Sequence, residues 1–337
     1  LFSPVRTTAL HSWQEKAGAK FEHVGQWMRA WYYPKANETM RQAVDREVKA
    51  ARSSIGLLDA STLGKIDIQG PDAAEFLNRV YTNSWLKLAP GQSRYGLMLK
   101  EDGMVMDDGV TTCIKKDHYH MTTTTGGAAG VLEWLEEWLQ TEWPNLNVYL
   151  TSVTEQWAVA AICGPNSREL LAELCPDIDL SDEAFPFMGY KEGTVAGIKA
   201  RIFRISFTGE LSFEINVPRS YGLSLWTALL ETGKKYDICP YGTEAMHVLR
   251  AEKGFIIVGQ ETDGTVTPVD LGMDWIISKT KSDFIGKRAL SRRDIVKNDR
   301  KQLVGLLTNN KTDILPEGSQ IVEKVLPKPP MPMIGHV

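Results

Sequence analysis

A chain of 337 residues, 43% of them hydrophobic, is long enough for two or three cores, because a single core rarely grows much beyond roughly 250 residues. Its net charge of -4 offers no basic field for nucleic acid, and no run of about 18 apolar residues marks a membrane span. Cys113, Cys163, Cys175 and Cys239 are scattered without a C-x-x-C pair, which argues against a zinc site or a disulfide framework and reads them as small buried apolar residues.

The opening residues 1–6 do not read as a signal peptide, so a soluble, cytoplasmic protein is expected. Residues 39–54 predict a helix, with Met40, Val44 and Val48 at helical spacing among charged residues and alanines. Next, Lys65-Ile66-Asp67-Ile68-Gln69 reads as a strand, followed by Gly70-Pro71 and an amphipathic helix. The strand ending at Cys163, with Gly164-Pro165 and the helix after it, repeats that order 94 residues later. Two hairpins also match: Gly103 is followed five residues on by Asp108, and Gly209 by Glu214, with 106 residues between the glycines. The similar offsets predict a duplicated motif within an α+β architecture.

In each hairpin the odd separation sets the acid on the face opposite its turn-proximal neighbours, among apolar residues. If the duplicated halves face each other, Asp108 and Glu214 converge on a shared cavity, and a buried carboxylate without a cation is usually there to act. The competing reading is two ordinary solvated acids near strand ends. Asp107 and Asp108 alternate, so only one faces the cavity, the other being solvated or capping; like-charge proximity raises the proton affinity of either.

Between the hairpins, His118 to Gly130 runs from a threonine-rich strand into a helix over 131–140 that carries Trp134 and Trp138 toward the core. Its Gly-Gly-x-x-Gly is an incomplete dinucleotide fingerprint, and a close strand–helix approach accounts for the glycines. His118 and His120 share a strand face but lack a third metal ligand, and no nucleophile elbow is present. Helices are expected over 221–233 and 243–253, the second capped by Thr243 and stopped by Gly254. A turn-rich passage follows to Pro268, then a basic helix over 287–293 and strands over 303–307 and 320–325, with another strand signal at Met333.

Leu58-Asp59-Ala60-Ser61, Gly70-Pro71-Asp72-Ala73, Arg94-Tyr95-Gly96-Leu97, Asp102-Gly103 through Asp107-Asp108, Phe207-Thr208-Gly209-Glu210 through Glu214, and Leu249-Arg250-Ala251-Glu252-Lys253-Gly254 resemble successive motifs of the glycine-cleavage T-protein (aminomethyltransferase) family. Residues 56–67 and 247–261 are similar to the carboxy-terminal folate-binding half of the alpha subunit of heterotetrameric sarcosine oxidase. The resemblance implies a cloverleaf: a discontinuous α+β domain of residues 1–60 and 152–280, a second of 61–151, and a partial β-barrel domain of 283–337. It implies a tetrahydrofolate pocket in which Asp108 is catalytic and manages a proton, Glu214 holds the pterin, and Tyr95 and Phe207 supply aromatic walls. Arg250 either contacts folate or pairs with Glu252 or another acid.

The implied reaction captures an amine-derived iminium or formaldehyde unit to give 5,10-methylenetetrahydrofolate, with FAD and NAD expected only on absent regions or partner subunits. Two alternatives stand beside it: a free-standing aminomethyltransferase fed by a lipoyl carrier, and a folate-binding scaffold without chemistry. Glycine-cleavage enzymes carry an arginine where this chain has Met246, which favours the sarcosine-oxidase-like reading over the carrier-dependent one. Phe207 replaces the family's usual tyrosine and removes a hydroxyl.

Overall fold

In the computed structural model, which describes residues 5–310 and 312–337, a short helix α1 (His11–Lys16) and a hairpin of β1 (Lys20–Val24) and β2 (Trp27–Tyr32) precede α2 (Met40–Ser53). Residues 1–4, read above for a leader, lie outside the described residues. Helix α2 starts where the sequence places it because Thr39 and Gln42 form a capping box, each side chain accepting the other's backbone N–H.

Two sheets follow, one antiparallel and one antiparallel but for a short parallel edge strand, each with its own helices. After β3 (Gly56–Asp59), which belongs to the second sheet, the first comprises β4 (Gly64–Gln69), α3 (Ala73–Val80), β5 (Ser93–Leu99), β6 (Val105–Lys115), β7 (His118–Thr123), α4 (Ala128–Thr141) and β8 (Tyr149–Ser152). The second sheet adds β9 (Trp157–Cys163), α5 (Ser167–Leu174), β10 (Tyr190–Val195), β11 (Ile198–Phe203), β12 (Ser212–Pro218), α6 (Gly222–Gly233), β13 (Cys239–Pro240) and α7 (Thr243–Lys253). Strand order is β5-β6-β7-β4-β8 in one and β10-β11-β12-β9-β3-β13 in the other, with β13 parallel to β3.

A single offset relates them. Gly70 and Gly164, Ala73 and Ser167, Gly103 and Gly197, His118 and Ser212, and Ala128 and Gly222 each stand 94 residues apart at matching places. Even the register is kept: Ile66 pairs with Met121, and 94 residues on Ala160 pairs with Ile215. The two Gly-Pro glycines have φ of 129° and 123°, and an added Cβ would lie 2.1 Å from the Asn147 carbonyl oxygen or 2.3 Å from that of Ser54. Backbone conformation and close approach both demand glycine there.

This corrects the hairpin comparison. The counterpart of Gly103 is Gly197, which with Ala196 forms the tight β10–β11 turn at positive φ, whereas Gly209 belongs to the longer β11–β12 connection. Asp108 and Glu214 are therefore not equivalent positions; they lie on β6 and on the counterpart of β7.

Each sheet buries one face under its helices. Ile66, Ile68, Met98, Tyr119 and Met121 pack beneath Phe76, Leu77, Val131 and Leu135, with Trp134 and Trp138 partly buried at the margin. Ile162, Ile202, Phe213 and Ile215 pack beneath Leu170, Leu171, Trp226 and Leu229. The second sheet's opposite face is covered by α2 and α7 around β3 and β9, and by the first sheet around Tyr190, Phe203 and Ile205.

Other expectations shift in detail. Cys113, Cys163 and Cys175 are buried, while Cys239 is partly exposed beside Arg46. Helix α7 is capped by Gly242, and the Thr243 hydroxyl donates to Glu22 instead of capping. The basic helix over 287–293 reduces to one 3-10 turn, Ala289–Ser291. Residues 303–307 pair with no strand among the described residues, and Leu307 is 98% exposed; a strand without a ladder partner has no hydrogen-bonded reason to form. Beyond it, β14 (Gln320–Val322) pairs with β15 (Met333–His336). No helix among the described residues is long and apolar enough to cross a membrane.

Candidate functional site

Alternation along β6 sends its two acids to opposite faces. Asp107 turns to the helical side, where it is 1% exposed and accepts the Thr124 hydroxyl at 3.1 Å and the Asp108 N–H at 2.9 Å. It is neither solvated nor a direct cap: Thr124 itself receives the Gly127 N–H at the start of α4, and Asp107 braces that threonine. An added Cβ on Gly127 would lie 2.3 Å from the Asp107 carboxylate, so close approach explains that member of the glycine run. Burial, then the charge of Asp108, push Asp107 up to about 7.

Asp108 turns the other way. It is partly buried and accepts the Tyr95 hydroxyl at 2.5 Å, which brings two of the residues singled out above into contact. Burial pushes its carboxyl up to about 6 against the Tyr95 hydrogen bond, so desolvation and not like-charge repulsion is the cause. An acid with a value near neutrality is suited to accept a proton at physiological pH.

Glu214 lies on β12 between Phe203 of β11 and Ala161 of β9. Burial pushes it up to about 7, opposed by the charge of Lys65. The faces carrying Asp108 and Glu214 are turned toward each other. Val110, two residues along from Asp108, packs against Tyr190, Phe203 and Ile205, and Phe203 is the cross-strand neighbour of Glu214.

Phe207 stands in the β11–β12 connection, 37% exposed, with its ring 6.4 Å from that of Phe255 and tilted by 25°. Arg250 is buried on α7, ion-paired with Glu261 at 2.6 Å and donating to the Phe255 carbonyl at 3.1 Å and to Gln260. It thus fastens the turn-rich passage after Gly254. Glu252, the other candidate partner, pairs with Arg52 at 2.6 Å. Arg52 also donates to the Thr208 and Leu249 carbonyls, tying the Phe207 loop to the end of α7.

Sequence reasoning missed the ionic contact between the sheets. Asp67 on β4 receives His118 Nε2 at 2.9 Å and His120 Nδ1 at 2.6 Å, and Arg201 of β11 comes within 3.9 Å. His120 stacks on Phe203 at 5.7 Å, and the Arg201 guanidinium lies 4.6 Å over Trp157. The polar side of the Lys65-Ile66-Asp67 alternation was the available signal. Asp59, in the motif shared with the family, is spent on structure: it accepts Thr8 at 2.7 Å, Gln14 at 2.9 Å and the Ser61 N–H at 3.1 Å.

Comparison with known proteins agrees with this architecture. Residues 10–281 match the GCVT N-terminal domain family. The sarcosine oxidase alpha subunit of Corynebacterium sp. (strain U-96) is 57% identical over 340 residues, covering 100% of this chain and 35% of its own length. The chain thus spans about a third of that relative. The aminomethyltransferase of Chlorobium phaeovibrioides is 31% identical, covering 85% of this chain and 74% of its own. Among solved structures, the glycine cleavage system aminomethyltransferase T from Bartonella henselae superposes with a TM-score of 0.74 at 27% identity, covering 85% of this chain and 73% of that one.

Proposed function

The chain belongs to the GCVT family of glycine-cleavage T-proteins, and we propose that it is the tetrahydrofolate-binding one-carbon transfer module of a sarcosine-oxidase-like enzyme. The observation that carries this reading is the pair of proton-avid carboxylates, Asp108 and Glu214, on sheet faces turned toward each other. Tetrahydrofolate, when bound, supplies the nucleophilic amines that take up the one-carbon unit, giving 5,10-methylenetetrahydrofolate.

The residues divide the work. A carboxylate accepts two parallel N–H donors, the pattern offered by the aminopyrimidine edge of a pterin, and Glu214 takes that part. Asp108, oriented by the Tyr95 hydroxyl, accepts the proton released as the amine is alkylated. Tyr95 and Phe207 wall the ligand, and Arg250 acts by holding the passage from Phe255 to Glu261 in place. Holding the partners together supplies proximity, and excluding water keeps the carbon from escaping as formaldehyde.

On this reading the division into 1–60 with 152–280, 61–151 and 283–337 stands as proposed. The small amine-derived substrate arrives from other subunits or regions, which carry the FAD and NAD. Met246 packs beside the cluster of Val44, Tyr241 and Leu249, so the position that is arginine in carrier-dependent enzymes is given to packing. That favours the sarcosine-oxidase-like reading over the free-standing one.

Glu214→Ala is expected to weaken tetrahydrofolate binding by at least about 1.5 kcal/mol, as befits hydrogen bonds to a charged group. Titration calorimetry measures it; equal affinities for variant and parent sink the assignment of Glu214.

A further inference from the structure

Lys65 is 1% exposed, and among the described residues it makes no ion pair. Its ammonium donates to the carbonyls of Ser61 at 2.9 Å and Leu63 at 2.8 Å. Two carbonyls satisfy two of three donors but leave the charge uncompensated, which is costly in a dry interior unless an anion is near. Alternation along β4 places Lys65 on the same face as Asp67, which reaches Arg201 across the sheet interface at 3.9 Å. Ser61, whose carbonyl holds the Lys65 ammonium, also accepts the Val159 N–H through its hydroxyl at 2.9 Å, and Val159 stands on β9 two residues before Ala161, the cross-strand neighbour of Glu214, so Lys65 is anchored beside the strand pair that carries Glu214.

Burial pushes Lys65 down to about 8 and Glu214 up to about 7, and each supplies a charge that opposes the other's shift. The groups around them are Asp59, which also acts on Lys65, His120, which feels the Lys65 charge, and Tyr241, which feels that of Glu214.

The duplication shows that the fold does not require this charge. At the offset of 94 residues, the counterpart of Lys65 is Val159 and that of Glu214 is His120. One half of the frame closes with an apolar residue where the other buries an ammonium.

The geometry points to Lys65 as a positioning residue: its ammonium is the counter-charge that keeps Glu214 a carboxylate able to accept the paired N–H donors of an aminopyrimidine ring. This rests on Glu214 being the pterin-binding acid. Lys65 is assigned no contact with the ligand; it acts through Glu214.

The test is an infrared carboxyl titration of the full chain without ligand, with Glu214→Gln subtracted to isolate the Glu214 band. Lys65→Met is expected to raise the Glu214 midpoint by about one pH unit, while Lys65→Arg leaves it within a few tenths. The same shift predicts tetrahydrofolate binding roughly fivefold weaker at pH 7 in Lys65→Met, recovering to the parent value above about pH 9. Lys65→Gln serves as a second neutral variant if Lys65→Met does not fold. An unchanged Glu214 midpoint in the folded neutral variant overturns the role of Lys65. A raised midpoint together with parental affinity in Glu214→Gln overturns the pterin-binding role of Glu214 instead.

Discussion

Asp108→Asn is expected to slow one-carbon transfer by about 10²–10⁴-fold, the usual contribution of a positioned proton acceptor, while leaving tetrahydrofolate affinity nearly unchanged. Asparagine keeps the oxygen that accepts the Tyr95 hydroxyl, so the hydrogen bond and the shape of the wall survive. What it loses is the ability to take a proton. The parent's rate should therefore rise with pH through about 6, where Asp108 ionises, and the variant should lack that rising limb. Stability moves the opposite way from activity. A buried acid raised above its unfolded value binds more protons folded than unfolded, so its ionisation at neutral pH weakens the fold, and stability grows as pH falls. Asn, which cannot ionise, should leave the chain at least as stable as the parent at pH 7. Single-turnover transfer, with the iminium supplied by the partner subunits proposed above, is the measurement; equal rates for both proteins remove Asp108 from the mechanism.

The parts of this molecule that were legible in its sequence are those where local chemistry permits few answers. Gly70-Pro71 and Gly164-Pro165 marked the repeat because their conformation and the carbonyls pressed against them admit glycine alone. Period-2 alternation placed Asp107 and Asp108 on opposite faces and Glu214 beside apolar neighbours, and the family motifs chose between the two aspartates. The hairpin comparison failed for a related reason. An acid five residues after a glycine is a coincidence that two different turns share, whereas the true counterpart of Gly103, Gly197, follows Ala196 and carries no acid on its strand to draw attention. The β1–β2 hairpin was missed because its turn, Gly25-Gln26, sits in a short ribbon rich in charged and aromatic residues. Least legible were contacts made across sheets. Nothing within five residues of Asp67 identifies Arg201 as its partner, because pairing between sheets is fixed by tertiary packing and not by spacing.

Asp67→Ala is expected to destabilise the fold by about 3 kcal/mol, because it leaves the cationic or donating groups His118, His120 and Arg201 without the acid between them. Burial by itself raises an acid, but the hydrogen bonds from His118 and His120 and the charge of Arg201 outweigh it and hold Asp67 well below the usual carboxylate range. The sign of the pH dependence follows. An acid depressed in the folded state contributes stability that is complete above its unfolded value of about 4 and is lost as pH falls toward the folded value. The Asp67 contribution to the gap between parent and variant should accordingly narrow below about 4. His120 adds a separate slope to the parent: burial lowers its imidazole below the ordinary value, so the unfolded chain gains the proton first and stability declines as pH drops below about 6.5. Urea denaturation at pH 7 and pH 3.5 separates the two contributions; a variant as stable as the parent at pH 7 shows that the cluster holds nothing together. The consequence reaches the proposed ligand site, because the Asp67 cluster joins β4 and β7 of one sheet to β11 of the other, and those sheets carry Asp108 and Glu214. Tetrahydrofolate affinity should fall in Asp67→Ala even though Asp67 is assigned no contact with the ligand, since the loosened interface no longer fixes the separation of the two faces.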